Sequence, residues 1–511
     1  MTYFPHQIHG IQWMLERETE GTPVYGEKGT VYGGFQCDDM GLGKTIQTVA
    51  TICHNPQPNT LIVVPVAMVE TWAETCRRAG LQVWVVSGKV GASQWVSNRV
   101  SDCDYVSNRV SGSKSATKGK VYLTNYEKIP SRPSLFTRSW DRIVVDEAHK
   151  LRNPYAEISY AMRRLQARIR WVLSGTPLVN SQRDVTSLAI FLGIPFEAGY
   201  HWSIAMQKMI PRMMLHRSLD ELRYRGVEGA PPLPNVYDCV LPFDTQAEED
   251  FYHSVQQTVE NELQRNSRHH GALSNAMKFV LLMRLRQISV HPQTYLLAMQ
   301  RATGEPADWH APSTKMQKVA EIIRADQEAE EKGGRDAVEA SREDGGAHKY
   351  LIFCQFHDEM NLFQEFLVME GLVRPESVLL YHGGMTAAQR KEVLITSKAS
   401  QETTVLLLQL QAGGVGLNLQ EYDRIIFMSP WWTAALMDQA MARAVRMGQQ
   451  EVVRVYHLRL AAERENSLNI DQMVHGKAEE KRGMLEDLFE WCAKEAPESV
   501  RMEPLESKDA E

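Results

Sequence analysis

The chain has 511 residues, of which 43% are hydrophobic, so it can bury more than one core and is long enough for roughly two to four domains. Its 56 Lys and Arg residues against 63 Asp and Glu give a formal net charge of -7, which excludes a protein whose whole surface binds polyanions. Seven cysteines without C-x-x-C spacing exclude a disulfide scaffold and a zinc module, and no apolar run reaches membrane-spanning length.

Two groups of short apolar runs, rich in β-branched residues, alternate with helix-like stretches along the chain. Continuous apolar runs of this length are typical of parallel strands buried in an α/β layer fold. The first group lies at residues 61–64, 83–86, 121–123, 143–145 and 171–173, and the second at 350–353, 378–381, 405–408, 425–427 and 452–456. The sequence therefore predicts an α/β protein with two parallel-sheet lobes.

The stretch between these groups, about residues 184–324, has mostly helical spacing and no strand pattern, so we predict an α-helical insertion there. Within the first lobe, residues 95–101 recur as 105–111, which we interpret as a duplication tolerated in a surface loop. The predicted parts are an N-terminal lobe at 1–183 with a variable loop at about 88–120, a helical protrusion and linker segment at 184–312, a C-terminal lobe at 313–480 with a charged linker at about 325–348, and a C-terminal helix with a disordered acidic tail at 481–511.

A glycine-containing turn at residues 38–45 reads Asp-Asp-Met-Gly-Leu-Gly-Lys-Thr. It follows a strand-like stretch, 31–37, and leads into a helix-like stretch, 45–53, which is the context that a phosphate-binding loop requires. The generic motif has Gly six residues before the Lys, where this chain has Asp38. The context nevertheless predicts a nucleoside triphosphate site.

The loop offers the groups that a bound triphosphate needs. Backbone N–H groups of Gly41, Leu42 and Gly43 can surround the β-phosphate at the N-terminus of the helix. Lys44 can neutralise charge on the β- and γ-phosphates, and the Thr45 hydroxyl can hold Mg²⁺. We therefore predict ATP and Mg²⁺ as cofactors.

A pair of acids, Asp146 and Glu147, follows the predicted strand at 143–145. Asp146 can hold Mg²⁺ through water, and Glu147 can orient and deprotonate the attacking water. Open α/β sheets gather their ligands at the carboxyl ends of the strands, so these acids should lie in the same crevice as Lys44. The two halves together predict an NTPase site.

Another predicted strand ends in Leu-Ser-Gly-Thr-Pro at residues 173–177. The hydroxyl groups of Ser174 and Thr176 should therefore face the same crevice. We assign a role in coupling the nucleotide to the rest of the chain to four residues: His149, Ser174, Gly175 and Thr176.

Two segments of the second lobe complete the predicted site. The glycine-rich run at 411–418 allows close backbone approach to the nucleotide, which we assign to Gly416. Arg443 and Arg446 are three residues apart, so on a helix they would share one face and could stabilise γ-phosphate charge as arginine fingers. ATP would then close the two lobes, and hydrolysis would release them.

In their order and spacing, these motifs resemble those of the SWI/SNF-type ATPases, superfamily 2 motors that translocate on double-stranded DNA. The resemblance covers about residues 3–480 and includes supporting matches at 123–127, 285–292, 313–316 and 382–386. It implies RecA-like lobes, a helical middle that forms paired protrusions, and reading of the adenine by Gln7. It also implies the backbone of double-stranded DNA as a partner, with nucleosomes or other DNA-bound proteins as targets.

Within this family, the chain is most similar to the branch that contains helicase-like transcription factor and transcription termination factor. Several members of that branch carry a zinc-binding RING between the lobes, whereas the middle segment here has only Cys239, so we predict no zinc module. The chain departs from the family at 409–411, 432–433 and 461–466, where it has Gln-Leu-Gln, Trp-Thr and Ala-Ala-Glu-Arg-Glu-Asn. These departures leave the predicted ATP site intact.

We predict an ATP-dependent translocase on double-stranded DNA that remodels or displaces DNA-bound proteins in chromatin, repair or transcription. Two alternatives stay open: a strand-separating DNA or RNA helicase, and a non-catalytic recruitment scaffold that keeps the fold without turnover. Intact Lys44, Glu147 and Arg446 argue against the scaffold. We expect a soluble protein of the nucleus without membrane association, and a viral origin stays open.

Overall fold

The computed structural model describes residues 3–86, 95–97, 119–199, 201–227, 229–268, 275–332, 347–410, 417–461 and 469–497. The chain divides into two compact units: a first unit of Met1–Ala230 with Lys481–Glu511, and a second unit of Pro231–Glu480. The four-part division expected from the sequence, with borders after residues 183, 312 and 480, stays a prediction. Most of the predicted variable loop, residues 333–346 of the predicted linker, Gly416 and the predicted tail beyond residue 497 lie outside the described residues.

In the described part of the first unit, nine strands form one sheet. The strands are β1 (Thr22–Pro23), β2 (Thr30–Gln36), β3 (Asn59–Val64), β4 (Gln82–Val86), β5 (Trp95–Ser97), β6 (Lys120–Asn125), β7 (Trp140–Asp146), β8 (Ala167–Leu173) and β9 (Met214–Leu215). Their order is β1-β2-β8-β7-β3-β6-β4-β5, and β9 pairs with the end of β2. β1 and β5 pair antiparallel with their neighbours, and the other pairs are parallel.

The helices of the first unit pack on both faces of this sheet. They are α1 (Pro5–Thr19), α2 (Lys44–His54), α3 (Val69–Arg78), α4 (Pro133–Thr137), α5 (Glu157–Arg164), α6 (Gln182–Leu192), α7 (Ile204–Met213) and α8 (Leu219–Tyr224). Leu61 and Val63 of β3 join one hydrophobic cluster with α5, α6 and α7, whereas Ile62 and Val64 join another with α1, α2 and α3. Successive strand residues point to opposite faces, so a strand buried on both sides needs a continuous apolar run.

The second unit contains a six-stranded sheet, all of whose pairs are parallel. Its strands are β10 (Asn235–Leu241), β11 (Lys349–Cys354), β12 (Val378–Tyr381), β13 (Thr404–Gln409), β14 (Arg424–Phe427) and β15 (Arg454–Leu460), in the order β10-β15-β14-β11-β13-β12. The helices after α8 are α9 (Gln246–Arg268), α10 (Asn275–Val290), α11 (Pro292–Thr303), α12 (Thr314–Lys332), α13 (His357–Met369), α14 (Ala387–Ala399), α15 (Ala434–Met441) and α16 (Ile470–Glu495). The two parallel sheets confirm the predicted α/β fold class.

Helix α16 contributes to both units. Near its start, Ile470 and Val474 pack in a cluster with Tyr252 of α9. Near its end, Leu488 and Cys492 are buried in the main cluster of the first unit. The first unit is therefore built from two separate parts of the chain.

Two strands lie within the stretch for which the sequence predicted only helices. β9 has two residues, and β10 forms one edge of the second sheet. Val236 and Val240 of β10 are 55% and 53% exposed, so this edge strand does not need the apolar run of a buried strand. The prediction that strands are absent from residues 184–324 is wrong at these two elements.

A buried ion pair joins the end of α1 to the sheet of the first unit. Arg142 of β7 donates from Nε to Glu18 Oε1 at 2.6 Å and makes a second bond to Glu18 Oε2. The Trp171 indole donates to the same carboxylate at 2.8 Å, and so does the Asn55 amide at 2.7 Å. Because the carboxylate is paired and fully hydrogen-bonded, its burial fixes α1 against the sheet.

Candidate functional site

The predicted nucleotide segments begin at the carboxyl ends of neighbouring strands in the first sheet. In the register of the strands, Leu173 of β8 lies opposite Gln36 of β2 on one side and opposite Asp146 of β7 on the other. These three strands are parallel, so the segments that follow them leave the sheet at the same edge. The phosphate loop, the Asp-Glu pair and the Ser-Gly-Thr segment are therefore neighbours.

The phosphate loop takes backbone conformations that require glycine. Gly41 and Gly43 have φ values of 87° and 82°, and Gly43 is the residue immediately before α2. A Cβ atom at Gly43 would lie only 2.5 Å from Nε2 of Gln7. Both the left-handed backbone and the close approach of Gln7 exclude a larger residue at position 43.

Gln7, which the resemblance assigns to adenine, lies against the backbone of this loop. Its Nε2 donates to the carbonyl of Leu42 at 3.4 Å, and its Oε1 accepts from the backbone N–H of Phe4 at 3.2 Å. The ring of His6 is 3.1 Å from the same carbonyl of Leu42. The structure thus places α1 and the phosphate loop in direct contact, while the reading of adenine by Gln7 stays a prediction.

Lys44 is the first residue of α2, and its Nζ is held by the loop itself. It donates to the carbonyl of Asp38 at 2.6 Å and to that of Asp39 at 3.2 Å. A Cβ atom at Gly175 would lie 3.7 Å from this Nζ, so the Ser-Gly-Thr segment is packed close to Lys44. Ser174 donates its backbone N–H to the carbonyl of Gln36 at 3.2 Å, which continues the pairing of β2 and β8.

The hydroxyl group of Ser174 stabilises its own turn. Its Oγ accepts the backbone N–H of Thr176 at 3.2 Å. This local bond is an ST-type turn, and it fixes the backbone on both sides of Gly175. The predicted coupling residues of this segment are therefore held close to the lysine of the phosphate loop.

Asp146 ends β7 with its carboxylate buried and oriented by two donors. The Trp72 indole donates to Oδ2 at 2.8 Å, and the backbone N–H of Glu147 donates to Oδ1 at 2.9 Å. The Tyr126 hydroxyl donates to the backbone carbonyl of Asp146 at 2.5 Å. Burial and the charge of Glu147 raise the pKa of Asp146 to about 6, against the opposing effects of Trp72, Lys44 and the N–H of Glu147.

Glu147 has an unusual backbone for a residue with a side chain. Its φ of 50° and ψ of 50° lie in the left-handed region, and no other non-glycine residue of the described segments has a positive φ. A 3₁₀ turn, Ala148–Leu151, follows it. The carboxylate of Glu147 lies 3.3 Å from Nδ1 of His149, so the predicted base and the predicted coupling residue are adjacent.

Asp38, the residue that replaces the generic glycine, is a buried anchor of the phosphate loop. Its carboxylate forms an ion pair with Arg217 and accepts bonds from the amides of Gln36 and Gln47 at 3.0 and 3.1 Å. Burial raises the pKa of Asp38, but the charge and hydrogen bonds of Arg217 outweigh it, so the pKa is lowered overall. The departure from the generic motif therefore adds a carboxylate that stays ionised under the loop.

The two predicted arginine fingers lie in the second unit, after the end of a helix. α15 ends at Met441, and the chain then turns through Arg443 and Arg446. The carbonyl of Arg443, beyond the end of the helix, accepts the backbone N–H of Leu419 at 3.0 Å. The prediction that the two arginines share one helical face is therefore wrong. Burial lowers the pKa of Arg446.

Two family models match the chain and together span most of it. The model described as SNF2-related domain matches residues 6–294, more than half of the chain. The model described as helicase conserved C-terminal domain matches residues 336–448. The chain belongs to the SNF2 family. This membership confirms the predicted resemblance and the predicted enzyme class, a helicase-like ATP hydrolase.

Several curated SNF2 relatives align with nearly the whole chain at low identity. A probable global transactivator of Orgyia pseudotsugata multicapsid polyhedrosis virus is 25% identical over 504 residues, which cover 96% of this chain and 91% of the relative. A putative ATP-dependent helicase/translocase, YwqA, of Bacillus subtilis is 25% identical over 89% of this chain and 46% of its own length. The TATA-binding protein-associated factor BTAF1 of Arabidopsis thaliana is 26% identical over 83% of this chain and 23% of its own length.

The solved structures that resemble this SNF2 chain include two of one archaeal protein. The Sulfolobus solfataricus SWI2/SNF2 ATPase core in complex with dsDNA is 21% identical, with a TM-score of 0.38, and covers 96% of each chain. The same core domain in a second structure is 22% identical, with a TM-score of 0.37, covering 96% of this chain and 90% of that one.

Among the described residues, no helix is both long and apolar enough to cross a membrane.

Three residues that shape the candidate site of the first unit were not predicted from the sequence. Trp72 and Tyr126 donate hydrogen bonds to Asp146, and Arg217 donates to Asp38. Tyr126 lies in the segment 123–127 that already supported the resemblance. The sequence gives no comparable signal for Trp72 or Arg217, because each reaches its partner from a distant part of the chain.

Proposed function

We propose that this protein is an ATP-driven translocase on double-stranded DNA that remodels or displaces DNA-bound proteins. The observation that carries the proposal is the meeting of Lys44, Asp146 and Glu147 at one sheet edge, with Gln7 against the phosphate loop, in a chain of the SNF2 family. ATP hydrolysis supplies the energy, and the phosphate backbone of the duplex supplies a track that needs no sequence readout.

The residues present fit a nucleotide with Mg²⁺. Mg²⁺ is usually held by one or two protein oxygens together with substrate phosphates and waters. Thr45, at the start of α2, and Asp146 offer such a set, and no group of three or more His, Cys, Asp and Glu that could hold a metal occurs in the described segments. Burial makes the Asp146 carboxylate costly to ionise, so a nearby cation would be favourable. Bound Mg²⁺ would neutralise phosphate charge.

The other roles follow from position in the first unit. Backbone N–H groups of Gly41, Leu42 and Gly43 would receive the β-phosphate, and Lys44 would leave its two loop carbonyls for the phosphates. Glu147 would accept the proton of the attacking water. His149, Ser174, Gly175 and Thr176 lie next to these groups and would sense whether the γ-phosphate is present.

Arg443, Arg446 and Gly416 keep their proposed roles in the second unit. Arg443 and Arg446 would stabilise charge on the γ-phosphate in the transition state, as arginine fingers do. Their position in a turn rather than on a helix leaves this proposal intact, because a finger needs only a reachable guanidinium. Gly416 would allow close backbone approach.

Membership of the SNF2 family supports double-stranded DNA as the track. Relatives named as helicases, a translocase and a DNA repair protein support it as well. The names of BTAF1 and of a chromodomain-helicase-DNA-binding protein of Danio rerio point to chromatin or transcription, so nucleosomes or DNA-bound factors are the proposed targets. We propose the nucleus as the location. The viral relative keeps a viral origin open.

The deciding measurement is the rate of ATP hydrolysis without nucleic acid and with single-stranded DNA, duplex DNA or RNA. We expect the strongest stimulation by duplex DNA. Glu147→Gln should lower turnover by about 100-fold or more while nucleotide still binds, because a general base contributes at least that factor. Lys44→Ala should lose nucleotide binding as well.

The same samples separate the alternatives. Stimulation by RNA but not by duplex DNA would overturn the proposed track. Release of a labelled strand in a strand-displacement assay would favour an unwinding helicase over a translocase. Equal hydrolysis by the wild type and Glu147→Gln would point to a scaffold that does not turn over ATP.

A further inference from the structure

Arg217 lies two residues after the end of β9 and is buried beneath the proposed nucleotide site. Its guanidinium contacts three elements that the proposed function needs. Nε donates to Asp38 Oδ1 of the phosphate loop at 2.8 Å, and Nη2 donates to the second carboxylate oxygen and to Gln47 Oε1 of α2 at 3.0 Å. Nη1 donates to the backbone carbonyl of His6 in α1. One side chain thus joins the loop to both helices that flank it.

Asp38, the ion-pair partner of Arg217, makes further buried hydrogen bonds. Asp38 Oδ2 also accepts from the Gln36 amide at 3.0 Å and from the Gln47 amide at 3.1 Å. A planar guanidinium with a bidentate carboxylate fixes direction as well as distance, which an ammonium group cannot do. The network therefore permits one arrangement of Asp38 relative to α1 and α2.

The backbone around Arg217 continues this connection. Its carbonyl accepts the N–H of Asp39 at 3.0 Å, and the carbonyl of Leu215 accepts the N–H of Cys37 at 2.7 Å. Asp38 and Asp39 supply the two carbonyls that hold Lys44 Nζ. A shift of Asp38 would therefore move Lys44 as well. The contact with His6 lies one residue from Gln7.

We propose that Arg217 is a positioning residue of the nucleotide site, which sets the phosphate loop in register with the helix that carries Gln7. This rests on the proposed function only in that the site must bind a nucleotide. Without Arg217, the adenine side and the phosphate side of the site would still exist, but their separation would no longer be fixed. Nucleotide affinity should therefore depend on Arg217, although its guanidinium is engaged by Asp38, Gln47 and His6 of the protein itself.

The first unit also contains a matched pair that lacks this role. Arg142 and Glu18 form a second buried, bidentate ion pair, and its further partners are Thr60, Asn55 and Trp171. None of these residues belongs to the phosphate loop. Glu18 is eleven residues from Gln7, or about 16 Å along α1 at 1.5 Å per residue. Loss of this pair should cost stability and loosen the far end of α1, without removing any contact of the phosphate loop.

The experiment compares the two pairs in the full chain. The variants are Arg217→Lys, Asp38→Asn and the double change Arg217→Met with Asp38→Leu, and the controls are Arg142→Lys and the double change Arg142→Met with Glu18→Leu. Apolar replacement of both partners can leave folding stability nearly unchanged, which keeps at least one variant of each pair folded. The readouts are the Kd of a fluorescent ATP analogue with Mg²⁺ and without DNA, and the melting temperature.

We expect the Arg217 and Asp38 variants to bind the analogue at least ten-fold more weakly, and the Arg142 controls to stay within two-fold of the wild type at temperatures where each is folded. Wild-type affinity in folded Arg217→Lys and in the folded apolar pair would overturn the proposal. Equal losses in both pairs would overturn it too, since they would show a general effect of buried charge. Failure of duplex DNA to stimulate hydrolysis would affect the proposed function alone, because this titration contains no DNA.

Discussion

Glu147 occupies the left-handed backbone region at the point where β7 ends and the 3₁₀ turn begins. This region costs a residue with a Cβ atom about 1–2 kcal/mol, whereas glycine adopts it freely. The carboxylate next to Asp146 is thus retained although a glycine would fit the backbone better. Such strain is found where a functional group must stand in a particular place.

Glu147→Gly should therefore have a more stable fold than Glu147→Gln and should, like that variant, lose ATP hydrolysis. We expect the first unit to be roughly 0.5–1 kcal/mol more stable than in Glu147→Gln, because Gln keeps the strained backbone and Gly relieves it at some cost in chain entropy. Both variants lose the proposed base. Thermal melting with ATP turnover on the same samples measures both effects, and a glycine variant less stable than the glutamine variant would show that the backbone is not strained.

The residues proposed to bind nucleotide could be predicted from the sequence, but the residues that hold them in place could not. Lys44 and Asp146 are marked by local strings after apolar runs, and the structure places both at the same sheet edge. Arg217 is 179 residues from Asp38, and Trp72 is 74 residues from Asp146. Such contacts arise only when distant strands pair, so no local pattern announces them.

Helix α11 of the second unit depends on a neutral histidine. His291 is the residue before its first turn, and Nδ1 accepts the backbone N–H of Gln293 at 3.0 Å. Burial lowers the pKa of His291 to about 4, although a bond with the Ala311 backbone acts in the opposite sense. A protonated ring has no acceptor nitrogen, so protonation would remove this cap.

The second unit should accordingly lose stability in mild acid. The folded pKa of His291 lies below its ordinary value of 6.5, so its contribution is complete above pH 6.5 and is lost as the pH falls through 6.5 towards 4. The full loss is roughly 3 kcal/mol for a shift of this size. Urea unfolding between pH 7 and 4 measures it. His291→Asn keeps a neutral cap and should flatten this part of the profile, and an unchanged profile would assign the acid sensitivity elsewhere.

Elements were predictable where burial imposed a pattern. The strands of both sheet interiors show continuous apolar runs because both of their faces are covered, and each predicted run overlaps an observed strand. β10 is exposed along one edge and shows no such run. Arg443 and Arg446 follow helix α15, which ends at Met441, and the sequence has no Gly or Pro between residues 441 and 446 to mark that end.

At the scale of the whole molecule, the first unit is completed by the end of α16. Leu488 and Cys492 are buried in its main cluster, and Met484, Phe489 and Trp491 pack against that cluster. Phe489 also stacks on His216, with ring centroids 3.6 Å apart, and His216 lies 3.5 Å from Asp39 of the phosphate loop. The nucleotide site therefore rests partly on residues from the far end of the chain.

A chain that ends after residue 480 should have an unstable first unit, and a chain that ends after residue 497 should not. The shorter chain loses the burial of several large apolar side chains, each worth about 1.5–3 kcal/mol, so we expect a loss of roughly 5 kcal/mol or more. The melting of each chain, followed through release of a bound fluorescent nucleotide, reports on this unit. Leu488→Ala in the longer chain should reproduce about 2–5 kcal/mol of the effect. Identical melting of the two chains would contradict the assignment.

The split first unit also dictates the order of events during translation. The ribosome makes residues 231–480 after the nine strands of the first sheet and before the end of α16. At about 5–20 residues per second, that interval lasts roughly 10–50 seconds. Throughout it, the apolar face that receives Leu488 and Trp491 is exposed on the nascent chain. Synthesis of the first unit therefore begins before that of the second unit and is completed after it.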